Sequence, residues 1–266
     1  MQAINFRYKF DLHWGKVILP LLFFTLVISQ AWAQARFGEI SKAGQDDKLI
    51  SYGFFLAGHT NYYQLKYSEE FLNGANTNLA NIRSITPVYT PGFSLGFLGV
   101  FRIHDQFNVL LTPKIGFYEF RTDINYYESN LDPSIIQSPG GISNLPSGTQ
   151  TVVTEATMVE LPLLFKYKAQ RFNNSRMFFM GGGSAMWRTK AQDEADLDGL
   201  VTTGRDFTLD LGMGFDMYFK YFKFSPEIRF SHGLLNIYRP ETTDPIFRDA
   251  IAEMRRKSIT IYLHFQ

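Results

Sequence analysis

Ten charged side chains stand at alternating positions inside otherwise amphipathic stretches of this sequence: Arg102, Lys114, Glu160, Lys166, Arg188, Asp210, Asp216, Lys223, Glu227 and Arg229. Each shares its parity with glycine, serine or threonine and opposes a row of phenylalanine, leucine and methionine. Charges so arranged can neutralise one another in a dry, narrow space, because an unpaired charge there is costly and mixed signs satisfy it. This pattern predicts a salt-bridged plug, and the functional alternative is a proton or ion path. Acid–base chemistry needs an acid, a base and a nucleophile clustered in one place. Beyond the first 33 residues the histidines are His59, His104, His232 and His264. His59 and His232 with Asp210 form the best available candidate set, but no G-x-S-x-G or H-E-x-x-H motif accompanies them. Gly181-Gly182-Gly183 lacks the G-K-[ST] of a phosphate loop, and Asp193–Asp198 lacks the spacing of a calcium-binding EF-hand. No catalytic, cofactor or metal site is predicted, and the expectation is a non-enzymatic protein.

The elements that must hold these charges are strands. In Arg205–Asn236 the residues Phe207, Leu209, Leu211, Met213, Phe215, Met217 and Phe219 fall on one parity, with Thr208, Asp210, Gly212, Gly214 and Asp216 on the other. After a break near Lys220 the oily face becomes Phe222, Phe224, Ile228 and Phe230. Side chains of a strand alternate between two faces, so period two over this length means a long amphipathic hairpin. Each arm is long enough to cross a bilayer, which takes about 9–11 tilted residues. Similar alternation recurs over 51–65, 90–103, 107–121, 153–167, 176–188 and 258–266. The connections between these segments are alternately long and polar (66–89, 122–151, 190–204, 237–256) and tight. An all-β, eight-stranded antiparallel up-and-down transmembrane β-barrel needs this asymmetry of short periplasmic turns and long extracellular loops.

Alternation alone does not say which face is wet, but volume does. An eight-stranded barrel has an interior just wide enough for side chains to fill, so the large residues must point outward to lipid. A secreted lipocalin-like barrel with its oily face inward is the alternative. Tyr52, Tyr118, Tyr167, Trp187, Tyr218 and Tyr221 lie near predicted strand ends and suit interfacial girdles. Pro113, Pro162 and Pro226 fall inside predicted strands and are expected to mark bulges.

The 266 residues are 45% hydrophobic and 16% aromatic, with 26 phenylalanines and no cysteine. Residues 1–33 read as a signal peptide: Arg7, Lys9 and Lys16 precede the apolar run Val17–Ile28, and Ala31-Trp32-Ala33 is a cleavage site. Residues 34–50 form a polar periplasmic lead-in, and 51–266 the barrel. Removing the leader takes away three basic residues and Asp11, which turns the formal charge from +1 to −1 and argues against a nucleic-acid partner. The expected partners are outer-membrane lipid and other proteins, with no small-molecule substrate.

Several stretches carry a family resemblance. Tyr89–Phe117 (YTPGFSLGFLGVFRIHDQFNVLLTPKIGF), Glu160–Lys168 (ELPLLFKYK) and Phe178–Gly183 (FFMGGG) resemble the broad porin-like outer membrane protein β-barrel family. Phe215–Ile237 (FDMYFKYFKFSPEIRFSHGLLNI), followed by a long loop and SITIYLHFQ, resembles the PorT (SprT) proteins of type IX secretion. The similarity extends from Tyr52 to Phe265. It implies an outer-membrane barrel needed for export or maturation of type IX cargo, and for gliding where that occurs. No catalytic residue is carried over by the resemblance. Gln266 after Phe265 departs from the usual terminal aromatic residue of such barrels.

Overall fold

The computed structural model describes residues 46, 48–74, 79, 81–127, 148–189, 200–243 and 245–266. The predicted leader, most of the lead-in, and the acidic stretch Asp193–Asp198 lie outside them. Ten strand segments form one antiparallel sheet: β1 (Ile50–Tyr67), β2 (Ile82–Val88), β3 (Thr90–Arg102), β4 (Phe107–Leu111), β5 (Lys114–Tyr126), β6 (Thr149–Lys168), β7 (Ser175–Arg188), β8 (Arg205–Tyr218), β9 (Lys223–Gly233) and β10 (Ile251–Phe265). β2 and β3 run on as one wall strand, as do β4 and β5. The ring closes where β1 pairs with both β10 and β3, so eight wall strands form a barrel without a free edge.

Between its two rims the wall obeys the volume argument. On β8 the odd residues Phe207, Leu209, Leu211, Met213 and Phe215 face outward, while Thr208, Asp210 and Asp216 are buried. Phe54, Leu56, Phe93, Phe97, Leu163, Phe165, Ile259 and Ile261 continue the oily outer face around the barrel. The lumen is nevertheless not limited to small residues and charges, because Phe55, Leu164, Phe178 and Tyr262 are fully buried within it. Glycines directly paired with Phe55 and Phe178 on the adjacent strands make the room. A Cβ at Gly214 would lie 2.6 Å from the Phe178 ring and 2.3 Å from the Pro226 carbonyl, and one at Gly96 would lie 2.7 Å from the Phe55 ring. Gly214→Leu is therefore expected to overpack the lumen and destabilise the barrel by about 1–3 kcal/mol. A lowered midpoint of thermal unfolding in detergent, followed by circular dichroism, checks this.

Toward the rim with the long connections the polarity reverses. On β5 Tyr118, Phe120, Ile124 and Tyr126 now point inward, and Glu119, Arg121 and Asp123 point outward. On β10 Ile251 and Met254 are inward, whereas Glu253, Arg255 and Lys257 are outward. These inward residues join Tyr63, Ile82, Ile85, Leu79, Leu200, Ile237, Tyr238 and Phe247 in one apolar cluster that fills this end. The stretches 66–89 and 237–256, read as loops from sequence, thus contain structure. In the first, Ser68 caps a one-turn helix, α1 (Glu69–Leu72), by accepting a bond from the Phe71 amide, and β2 pairs with β5. In the second, a short helix, α2 (Pro245–Ala250), leads directly into the first residues of β10. Alternation with the oily face outward stops at the reversal, so the strands predicted from it stop there too.

Two further expectations are corrected. Tyr118 and Tyr218 are not girdle residues: both have inward parity and are buried, whereas Tyr52, Tyr167, Trp187 and Tyr221 do lie on the outer surface. Pro113, Pro162 and Pro226 mark no bulge. Register is unchanged across each of them, since Leu111 pairs with Gly99 and Lys114 with Gly96, Pro162 itself pairs with Ser184, and Pro226 with Leu263. A strand residue's N–H serves one neighbour only, so proline removes a single ladder bond while the rest of the ladder holds register. The shifts that do occur are near the long-connection rim, at Lys66/Tyr67 and Ile82/Ser84.

Candidate functional site

The lumen holds most of the chemistry-bearing side chains, and strand parity is what puts them there. Of the ten charges singled out from sequence, Lys114, Glu160, Lys166, Asp210, Asp216, Lys223, Glu227 and Arg229 are buried inside the barrel. Arg102 instead sits at the short-turn rim against Asp105, and Arg188 donates to Thr202 near the opposite rim at 2.9 Å.

The buried charges are organised in tiers along the barrel. Lys166 meets Asp216 at 2.7 Å and lies 3.5 Å from the centre of the Phe178 ring. Ser225 also donates to Asp216, at 2.6 Å. Beside them Glu227 accepts from Arg229 at 2.7 Å and faces His264 at 2.8 Å, while the Arg229 guanidinium stacks over Tyr262 at 4.1 Å. Six residues further along β6 from Lys166, Glu160 pairs with Lys114 at 2.9 Å and accepts from the Tyr118 hydroxyl. Lys114 also donates to Tyr262 at 2.9 Å. Asp210 accepts from Ser184 and, at 3.0 Å, from Thr208. Desolvating so many ions is expensive, and direct pairing, hydroxyl donors and ring faces together offset that cost.

Several members of this network were not singled out in the sequence. Lys168, Asp206, Arg256 and His264 are buried on the inward parity; Asp206 lies within the predicted hairpin, and the alternation continued past the predicted strand ends reaches Lys168 and Arg256. Asp46 carried no signal, being one acid in an unpatterned lead-in. It sits in the short-turn mouth, where three cations reach its carboxylate: Lys223 at 3.3 Å, Arg176 at 3.4 Å and Lys168 at 3.6 Å. The Tyr218 hydroxyl donates to it as well. Burial opposes its charge, but Lys223, Tyr218 and Lys168 outweigh burial and hold the Asp46 carboxyl well below the usual carboxylate range. With the folded value depressed, this contact contributes stability above the ordinary carboxylate pKa and loses it as pH falls through the depressed value.

The wall separates the acid–base candidates. His59 is inside, 2.7 Å from Asn61 and stacked on Tyr118. His232 belongs to the outer face, in a surface recess lined also by Gln64, Lys66, Glu253, Arg255 and Lys257. Asp210 is in the lumen, so His232 and Asp210 do not share a site. What the lumen residues do chemically is neutralise one another and fill the cross-section.

A closed eight-stranded wall, oily outside and ion-paired inside, is the architecture of an outer-membrane barrel, and residues 32–239 match the outer membrane protein beta-barrel domain. The chain belongs to that family. This family membership places the protein in the outer membrane. The outer membrane protein β-barrel chain is also similar to solved structures at low identity. One is the outer membrane protein OprG from Pseudomonas aeruginosa, 12% identical over 80% of this chain and 94% of that one, with a TM-score of 0.40. Neisserial surface protein A is 10% identical over 82% and 98%, with a TM-score of 0.35. Ail of Yersinia pestis, solved in complex with the heparin analogue sucrose octasulfate, is 7% identical over 80% and 96%, with a TM-score of 0.32. No curated protein shows significant sequence similarity to the chain.

Proposed function

We propose that this barrel is a non-enzymatic accessory or assembly component of type IX protein secretion, and of gliding in cells that glide. In this reading it works through protein contacts and not by passing cargo through its own lumen. The observation that carries the contact mode is the filled lumen. Arg229, Phe55, Phe178 and Tyr262 are fully buried across it, in a barrel size whose interior is no wider than its side chains. The assignment to type IX secretion rests on the similarity of Phe215–Ile237 and Ser258–Gln266 to PorT (SprT) proteins. The reading sets both mature termini and the short turns in the periplasm, and the long connections outside the cell. Its partners are outer-membrane lipid along the oily belt and other secretion proteins at the rims; nucleic acid and small-molecule substrates have no part in it. Deleting the gene is expected to leave type IX cargo unprocessed in the periplasm, with secretion restored by a plasmid copy. Normal secretion in the deletion strain refutes the proposal.

A second reading, a small barrel serving adhesion or ligand binding through its long connections, is favoured by a different observation. β1, β5, β6 and β10 continue past the oily belt as a wall with charged residues outside and an apolar core inside. Such a stalk holds the connections away from lipid. Capture of a surface ligand by the purified protein, with secretion intact in the deletion strain, selects this reading.

A further inference from the structure

In the short-turn mouth three cations share one carboxylate, Asp46. Lys168 and Lys223 are almost fully buried there, and the Arg176 side chain is 11% exposed. One layer deeper Lys166 is paired with Asp216. Lys168, Arg176 and Lys223 thus converge on the single Asp46 carboxylate, while Asp105 and the backbone end at Gln266 stand at the same rim, in a low-dielectric setting where unbalanced charge is costly. The cations come from three different wall strands, β6, β7 and β9, and Tyr218 of β8 adds a hydroxyl donor. The arginine is held in place from behind by the carbonyls of Ala169 and Asp105, at 2.5 and 2.9 Å. The result is a rigid set of donors that converge on one point. A carboxylate occupies that point already: Asp46, which lies just ahead of β1 and remains 20% exposed.

We propose that this mouth is a carboxylate-binding site for an acidic peptide segment of a partner protein, which Asp46 fills in cis until the partner displaces it. The inference deepens the partner-binding reading above and rests on it for the class of occupant. An occupant tethered within the same chain competes at an effective concentration in the millimolar range, so the site is masked in the resting protein. Removing the tethered carboxylate exposes it.

The test uses the full mature chain in detergent micelles, with a fluorescein-labelled hexaglutamate peptide followed by anisotropy at low ionic strength. Asp46→Asn is expected to tighten hexaglutamate binding by about tenfold or more over the native chain, since the in-cis competitor is gone. Adding Arg176→Gln or Lys223→Gln to Asp46→Asn is expected to abolish the gain. Arg176 stands at the rim, so its variant keeps the test valid if the deeper Lys223 variant does not fold, and circular dichroism verifies each barrel. A hexaglutamine peptide is expected not to bind. Equal affinity of the native and Asp46→Asn chains overturns the proposal, as does equal binding of hexaglutamine, or binding of inorganic phosphate without binding of hexaglutamate. Because the assay reads the mouth directly, its failure beside a secretion defect in the deletion strain sinks this inference alone, whereas normal secretion removes the wider reading and leaves the binding result standing.

Discussion

Glu227→Ala is expected to destabilise the barrel by about 3–5 kcal/mol, the cost of leaving a buried charge without its partner. Glu227 is the common acceptor for Arg229 and His264, at 2.7 and 2.8 Å, and all three are buried. Without it Arg229 keeps, among the described residues, the Tyr262 ring, a long contact to the Met180 sulfur at 3.8 Å and the more distant charge of Asp210. None of these is a direct ion pair. Removing the pair together is a different experiment. Glu227→Leu combined with Arg229→Met removes both members of the direct pair in a lumen already lined by Phe55, Phe178 and Leu164, and Asp210→Asn added to it removes the carboxylate charge that Arg229 also offsets. The combined variant is expected to be far closer to the native chain than the single one, since well-packed apolar replacements of buried pairs are often neutral. Reversible urea unfolding in lipid vesicles measures both, with Trp187 as the reporter. It is the single tryptophan left once residues 1–33 are removed, and it lies on the outer face. A loss below about 1 kcal/mol for Glu227→Ala would mean that water reaches this tier and that the plug is not dry.

Leu211→Arg tests the opposite face of the same strand. Leu211 is 58% exposed midway along β8, flanked on its own face by Leu209 and Met213. In lipid an arginine at mid-depth costs about 2–4 kcal/mol, and near the interface about 0–1 kcal/mol. Leu211→Arg should therefore lower stability in vesicles by the larger amount, whereas Phe265→Arg, at the short-turn rim, should change it little. A surface facing water would accept both arginines at no cost, so equal and negligible effects would show that the belt does not lie in lipid.

The central part of the barrel was legible because two constraints coincide there. Period two assigns each residue to a face, and the small interior of eight strands decides which face holds the bulk. Phe207 through Phe215 and Phe224 through Phe230 obey both, and the hairpin they form was readable to within a few residues. Beyond the belt the constraints part. Water replaces lipid outside, so Glu119, Arg121, Arg255 and Lys257 face outward while Phe120, Ile124 and Met254 turn in. Period two persists through the reversal, but the polarity attached to each parity changes sign. An alternation with one fixed polarity loses the strand at that point, and so β2 and the first residues of β10 carry no strand signal of that kind.

The same division holds for the ionised groups. Parity alone put Lys114, Glu160, Lys166, Asp210, Asp216, Lys223, Glu227 and Arg229 on one face, because a side chain's face depends only on its place in its own strand. Who meets whom depends on the register between strands far apart in sequence and on the width of the lumen. Tertiary structure alone joined Lys114 to Glu160 and Lys166 to Asp216, and kept His232 on the far side of the wall from Asp210. Asp46 is the extreme case. Nothing local distinguishes it from any other acid in the lead-in, and only the register of β6, β7 and β9 in the curved wall brings Lys168, Arg176 and Lys223 to one point. The amino-acid sequence by itself determined an eight-stranded barrel with lipid outside and charge within. Only the closed ring decided how that charge is paired and where the mouth is positive, because ion pairing depends on distances across the lumen, which no stretch of sequence contains.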